Sequence, residues 1–98
     1  MKNIVLLCST GASTSVLCNN MKKAAAEMNY DCTINAYSIT KLEEIRDDAD
    51  IILIGPQIRF QSARVRDQVK CKVIDIDMRI YGKMDGKALM EIVKKELD

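Results

Sequence analysis

Cys8 is followed by seven residues drawn only from Ser, Thr, Gly and Ala, so that residues 8–15 read CSTGASTS. Immediately before it stand four large apolar residues, Ile4 to Leu7. A thiol at the end of such a run, leading into small hydroxyl-bearing residues, has the composition of a loop that wraps an anion. Where that loop opens a helix, unpartnered backbone N–H groups and the positive end of the helix dipole together bind phosphate or a thiolate. The same field favours the thiolate of Cys8 over the thiol and so makes it a nucleophile. Gly11 can adopt positive φ and Ala12 lets the chain pass close. Ser9, Thr10, Ser13, Thr14 and Ser15 are further candidate donors. The bland alternative is a buried cysteine at a strand end, a common use of the residue.

Two phosphate motifs offer a comparison. A nucleotide-binding P-loop ends in Gly-Lys-Ser/Thr, yet no lysine stands between Asn3 and Lys22, which argues against nucleotide hydrolysis. A cysteine phosphatase of the low-molecular-weight type, or a related arsenate reductase, has an arginine after five intervening residues. Here that position is Thr14. Without a guanidinium to compensate charge on the phosphoryl oxygens, such a loop holds a phosphorylated cysteine while doing little to speed its hydrolysis. That behaviour suits a phosphoryl carrier better than a phosphatase.

The elements that position this loop follow from periodicity. IVLL at 4–7 and IILI at 51–54 are short and lack alternation, as central parallel strands covered on both faces do. VIDI at 73–76 is a third strand candidate. CTINAY at 32–37 alternates, with Cys32, Ile34 and Ala36 on one side, and suits a sheet edge. Helical spacing of Leu17, Met21, Ala24 and Met28 predicts a helix from about Ser13 to Asn29. Thr40 with Glu43 reads as a capping box for a short helix. A third helix is expected from near Phe60 to Val69, and a last one opening at Asp85 and packing Leu89, Ile92, Val93 and Leu97.

The β-α-β-α-β-α-β-α order, with right-handed crossovers, predicts an α/β fold: three layers around a four-stranded parallel sheet. Strand order 2-1-3-4 puts the most apolar runs in the centre. The turn after the first strand then falls at a topological switch point, where open α/β sheets bind ligands.

Length and composition bound the rest. A chain of 98 residues, 48% of them hydrophobic and 30% charged, is expected to form a single domain over residues 1–98. A net charge of +1 and only four Tyr and Phe residues argue against nucleic acid as a partner. The four cysteines, Cys8, Cys18, Cys32 and Cys71, contain no Cys-x-x-Cys pair, and the chain has no histidine, which argues against a metal site. No cofactor is called for. The missing histidine also removes Ser-His, Cys-His and phosphohistidine chemistry from the chain itself. Leu7 before Cys8 and the shortness of the apolar run argue against a lipoprotein signal, and no segment approaches a membrane span. Free thiols fit a reducing cytoplasm.

CSTGASTS at 8–15, ILIGPQIRF at 52–60 and YGKMDG at 81–86 together resemble the enzyme IIB component of the bacterial phosphoenolpyruvate-dependent sugar phosphotransferase system (PTS), lactose/cellobiose type, with YGKMDG leaning towards the cellobiose or diacetylchitobiose branch. The resemblance spans essentially the whole chain. It implies an architecture like that of the low-molecular-weight phosphotyrosine phosphatases. It also implies a phosphocysteine carrier: Cys8 takes a phosphoryl group from a phosphohistidine of the IIA protein and passes it to a sugar, of the cellobiose or chitobiose kind, held by the membrane-embedded IIC permease. Ser9, Thr10, Gly11, Ala12, Ser13, Thr14 and Ser15 are carried over as the phosphate-binding loop. The chain would then work in the cytoplasm, at the inner face of the membrane when engaged with IIC and without inserting into it.

Outside the loop, Gly55-Pro56-Gln57 follows the third strand and falls on the same sheet edge as Cys8. It is either a strand-terminating turn or an accessory element in which Gln57 donates to the phosphate. Ala12, Val16, Leu17, Ile58 and Phe60 are expected to form an apolar rim on which the donor docks. The methionines, Cys18, Cys32 and Cys71 read as packing residues, Arg59 as a solvated charge and YGKMDG as a turn capped by Asp85. A small cysteine-dependent phosphatase or arsenate-reductase-like enzyme is the competing assignment.

Overall fold

The computed structural model describes residues 1–9 and 14–98. Four strands, β1 (Lys2–Cys8), β2 (Cys32–Ser38), β3 (Ile51–Ile54) and β4 (Lys72–Asp75), form one parallel sheet in the order β2-β1-β3-β4. The most apolar strands are the central pair, as their composition predicts. β1 pairs β2 along its whole length, from Lys2 with Cys32 to Cys8 with Ser38, and pairs β3 from Ile4 with Ile51 to Leu7 with Ile54.

Among the described residues five α-helices accompany the sheet: α1 (Thr14–Glu27), α2 (Leu42–Ile45), α3 (Ser62–Gln68), α4 (Met78–Gly82) and α5 (Gly86–Leu97). The period-two alternation of a strand splits β1 and β3 cleanly between them. Ile4, Leu6, Ile51 and Leu53 point into a core shared with Leu17 and Met21 of α1 and Leu89, Met90 and Val93 of α5. Val5, Leu7, Ile52 and Ile54 point into a second core, with Leu42 of α2 and Val65 of α3. Each of these eight strand side chains is at most 1% exposed, and burial of a Leu or Ile contributes about 2 kcal/mol. That explains why both runs are continuous rather than alternating. On β2, Cys32, Ile34 and Ala36 all face the first core, in keeping with their alternation.

Several local expectations are corrected. The helix expected from about Ser13 to Asn29 ends at Glu27, and Ser13 lies outside the described residues. Its end is a left-handed cap: Asn29 has φ 54°, and the N–H groups of Asn29 and Tyr30 donate to the carbonyls of Ala26 and Ala25 at 3.2 and 2.9 Å. Thr40 and Glu43 do not form a capping box. Ser38 caps instead, its Oγ accepting from Thr40 N at 3.4 Å at the start of a 3₁₀ turn, Ile39–Lys41, that precedes α2. Pro56 starts a 3₁₀ stretch, Pro56–Gln61, directly after Gly55, with a kink at Ile58, so α3 begins two residues later than expected, at Ser62. β4 is displaced to 72–75, although Ile76 N still donates to Ile54 O at 2.9 Å.

The segment YGKMDG is more than a turn. Residues 81–82 end α4, a helix too short for periodicity to reveal, which Asp77 caps through Arg79 N at 2.7 Å. Met84 has φ 51°, and its carbonyl accepts from Asn20 Nδ2 at 2.8 Å. Asp85 caps α5 as expected, accepting from Ala88 N at 3.0 Å. Gly86 is buried where α5 crosses α1: a β-carbon there would sit 2.5 Å from Met21 N, closer than real contacts allow. The motif therefore docks α5 onto α1, the helix that opens beside Cys8. Among the described residues no helix is long and apolar enough to cross a membrane.

Candidate functional site

Cys8 is the last residue of β1 and sits at the switch point, where the chain turns into α1 towards β2 while the next crossover leads to β3 on the other side. Its neighbours in register are Ser38 of β2 and, one step beyond the Leu7–Ile54 pair, Gly55. The side chain is 2% exposed. Its Sγ lies 3.1 Å from Thr14 Oγ1, on the first residue of α1, and 3.8 Å from the carbonyl of Tyr37, to which the thiol donates. Thr14 is itself fully buried. The position that holds arginine in the phosphatase pattern is therefore occupied by a short hydroxyl directed at the sulfur.

Of the remaining loop residues, Ser9 is exposed and its carbonyl accepts from Ser38 Oγ at 3.3 Å, which ties the loop's start to the end of β2. Ser15 is exposed in the first turn of α1. Thr10, Gly11, Ala12 and Ser13 lie outside the described residues.

On the other flank, Gly55 N donates to Leu7 O at 2.9 Å and continues the β1–β3 ladder. The point a β-carbon of Gly55 would occupy is 3.0 Å from Gln57 Oε1, 3.2 Å from Leu7 O and 3.7 Å from Cys8 Cβ. The Gln57 amide and Cys8 thus border the same small gap, which only glycine leaves open. Gln57 is exposed, so its amide can also reach beyond the protein. The structure therefore brings Cys8, Thr14 and Gln57 to one edge of the sheet, with Ser9, Ser15 and Ser38 around them.

The match to known proteins bears on what this edge does. Residues 3–92 match the family described as PTS system, Lactose/Cellobiose specific IIB subunit. The chain belongs to this family. It is 40% identical over 94 residues to the oligo-beta-mannoside-specific EIIB component of Bacillus subtilis, covering 93% of this chain and 91% of that protein. It is 32% identical over 97 residues to the cellobiose-specific EIIB component of Lactococcus lactis, covering 91% of this chain and 90% of that one. The solution structure of a cellobiose-specific IIB component from Borrelia burgdorferi superposes with a TM-score of 0.81 at 32% identity, over 98% of this chain and 91% of that one. A lactose-specific EIICB component of Lactococcus lactis is 26% identical over 101 residues, which take in 98% of this chain but 18% of that protein, so some members join IIB and IIC in one polypeptide. As an EIIB component the chain is a sugar phosphotransferase subunit, and a IIC protein is the membrane partner of its family.

Burial pushes the thiols of Cys18, Cys32 and Cys71 above the ordinary cysteine range; Lys22 partly offsets the effect at Cys18, Asp31 adds to it at Cys32 and Asp50 at Cys71. Cys18 donates to Ile34 O at 3.5 Å inside the first core.

The expected apolar rim is corrected. Leu17 is fully buried in the first core and Ile58 is 3% exposed in the second. Val16 and Phe60 are exposed as the rim requires, and Ala12 lies outside the described residues. Met78, at the start of α4 and 70% exposed, was missed along with its helix. Asp77 ahead of MRIYG is the one sequence signal that pointed to it.

Proposed function

We propose that this chain works as a single EIIB domain over residues 1–98, a phosphocysteine carrier that moves a phosphoryl group from a IIA phosphohistidine through Cys8 to a β-linked disaccharide bound by the IIC permease. The observation that carries the reading is Cys8 at the switch point with its sulfur 3.1 Å from Thr14 Oγ1 at the start of α1, in a chain of the PTS IIB family.

In the first transfer the Cys8 sulfur attacks phosphorus: the S–P bond forms, the N–P bond to the donor imidazole breaks, and the thiol proton passes to that imidazole nitrogen. In the second, a sugar hydroxyl oxygen attacks: the O–P bond forms, the S–P bond breaks, and the hydroxyl proton returns to sulfur. Ser9, Thr10, Gly11, Ala12, Ser13, Thr14 and Ser15 hold the phosphoryl oxygens between these steps through backbone N–H groups and hydroxyls. Gln57, whose Oε1 borders the gap at Gly55 across from Cys8, is the accessory donor through its Nε2 amide. Thr14 in place of arginine leaves attack by water poorly stabilised, so the intermediate survives until the sugar arrives. Relatives named for oligo-beta-mannosides and cellobiose support a β-linked saccharide as the acceptor. The carrier acts in the cytoplasm, at the inner face of the membrane while engaged with IIC.

The test is intact-mass analysis of wild type and Cys8→Ser after incubation with phosphoenolpyruvate, the general phosphotransferase proteins and a IIA protein of the same family. One added phosphoryl group on wild type and none on the variant is the expected result. No gain on either, together with wild-type hydrolysis of a generic phosphate ester, would overturn the carrier in favour of a cysteine phosphatase.

A further inference from the structure

Apart from the first residue, Met1, the exposed large apolar side chains among the described residues are Val16, Phe60 and Met78. All three stand on segments that leave the carboxyl ends of strands: α1 after β1, the 3₁₀ stretch after β3, and α4 after β4. They lie on the sheet edge that holds Cys8, whereas Met1, directly before β1, is at the opposite edge. Three large apolar side chains exposed at the end of the sheet that also holds Cys8 suit a surface that another protein covers.

The charge on that edge is uneven. On the β1–β2 side, Ser9, Ser38 and Thr40 present hydroxyls, linked by Ser38 Oγ to Ser9 O at 3.3 Å and Thr40 Oγ1 to Ser38 Oγ at 3.1 Å. On the β3–β4 side, Arg59, Met78 and Arg79 line a cleft of about 340 Å³ with Asp75, Ile76 and Asp77. Both carboxylates there have a partner, although the buried Oδ1 of Asp75 accepts no hydrogen bond among the described residues. Asp75 is paired with Arg66 at 3.6 Å, and Asp77 caps α4 through Arg79 N. Arg59 and Arg79 form no ion pair among the described residues, and both are exposed. Three arginines against two carboxylates leave this side positive, with Phe60 and Met78 beside it.

We propose that the β3–β4 side of the edge, formed by Arg59, Phe60, Met78 and Arg79, is the recognition surface for the phosphorylated donor protein and is spared by the permease; the inference rests on the carrier reading above. Two charges decide between the partners. A phosphorylated side chain brings close to two negative charges, which unpaired guanidiniums attract. The cytoplasmic loops of a membrane protein carry an excess of Lys and Arg, which the same guanidiniums repel. Once the phosphoryl group moves to Cys8, the donor no longer has the charge that drew it in, so the spent donor is released and the edge is cleared for the permease.

The test uses Arg59→Glu/Arg79→Glu and Phe60→Ala/Met78→Ala, with Lys70→Glu, at the opposite sheet edge, as a charge-reversal control. The rate of Cys8 phosphorylation is followed against the concentration of phosphorylated IIA at low and high salt. Single-turnover sugar phosphorylation is then measured from preloaded protein with membrane vesicles carrying IIC. The arginine pair is expected to raise the half-saturating donor concentration about tenfold or more at low salt and less at high salt, with the vesicle step unchanged or faster and Lys70→Glu like wild type. Equal donor saturation in the arginine variant, or an equal loss in both half-reactions, would overturn the assignment. A wild type that gains no phosphoryl group at all would instead show the carrier reading to be wrong, and this proposal with it.

Discussion

Thr14 Oγ1 stands 3.1 Å from Cys8 Sγ, with both side chains buried where β1 gives way to α1. A hydroxyl at this distance donates to a thiolate and accepts from a thiol, so it can follow the sulfur through both protonation states. Thr14→Val keeps the shape and removes the hydroxyl. It is expected to slow phosphorylation of Cys8 by roughly 10- to 100-fold while lowering stability by only about 1 kcal/mol. Thr14→Ser should restore most of the rate. A valine variant as fast as wild type in the mass-resolved time course would show that the hydroxyl takes no part.

A substitution at Gly55 should separate activity from folding. The backbone there has φ −65°, so alanine meets no conformational strain. Its β-carbon would crowd Gln57 Oε1, a flexible amide end, and the fixed Leu7 carbonyl at 3.2 Å. Gly55→Ala is expected to cost about 1 kcal/mol in denaturant unfolding and to reduce phosphoryl transfer by more than that loss explains, because the gap shared by Cys8 and Gln57 is filled. Equal transfer rates in the two proteins would remove Gln57 from the site.

How much of this was legible in the sequence depends on the range of the interaction. The sheet order was readable because IVLL and IILI have to be covered on both faces, and only the two central positions offer that. The end of β1 at Cys8 was readable because its composition is local. The Cys8–Thr14 contact was not, since a β-to-α turn sets the distance: Thr14 was legible as the place of the missing arginine and as one hydroxyl among five, but not as the partner of the sulfur. Leu17 and Ile58 were misplaced on the rim because proximity in sequence to the cysteine was read as proximity to solvent. Leu17 belongs to the same helical stripe as Met21 and turns inward with it. The Thr40–Glu43 pair matched a capping pattern, but Ser38, at the end of β2, reached the helical turn first.

Gly86 supports the site from a distance. Alanine there would drive a β-carbon into the backbone of Asn20 and Met21, so α5 has to shift off α1. Gly86→Ala is expected to destabilise the protein by about 3 kcal/mol, lowering Tm by more than about 10 °C. A thermal melt matching wild type would mean that the α1–α5 crossing yields more easily than its backbone contact implies.

The three thiols raised by burial make the fold sensitive to alkali. Each of Cys18, Cys32 and Cys71 favours its neutral form when folded, so below the ordinary thiol range of about 8.5 they contribute their full stability. As pH rises through that range the unfolded chain loses these protons while the folded chain keeps them, and by linkage stability falls with rising pH until the raised folded values are passed. Denaturant unfolding of Cys8→Ser, which removes the site thiol from the balance, should therefore show a lower midpoint at pH 10 than at pH 7.5. Replacing Cys18, Cys32 and Cys71 together by alanine in that background should flatten this part of the profile. An equally steep profile in both proteins would assign the alkaline loss to other groups.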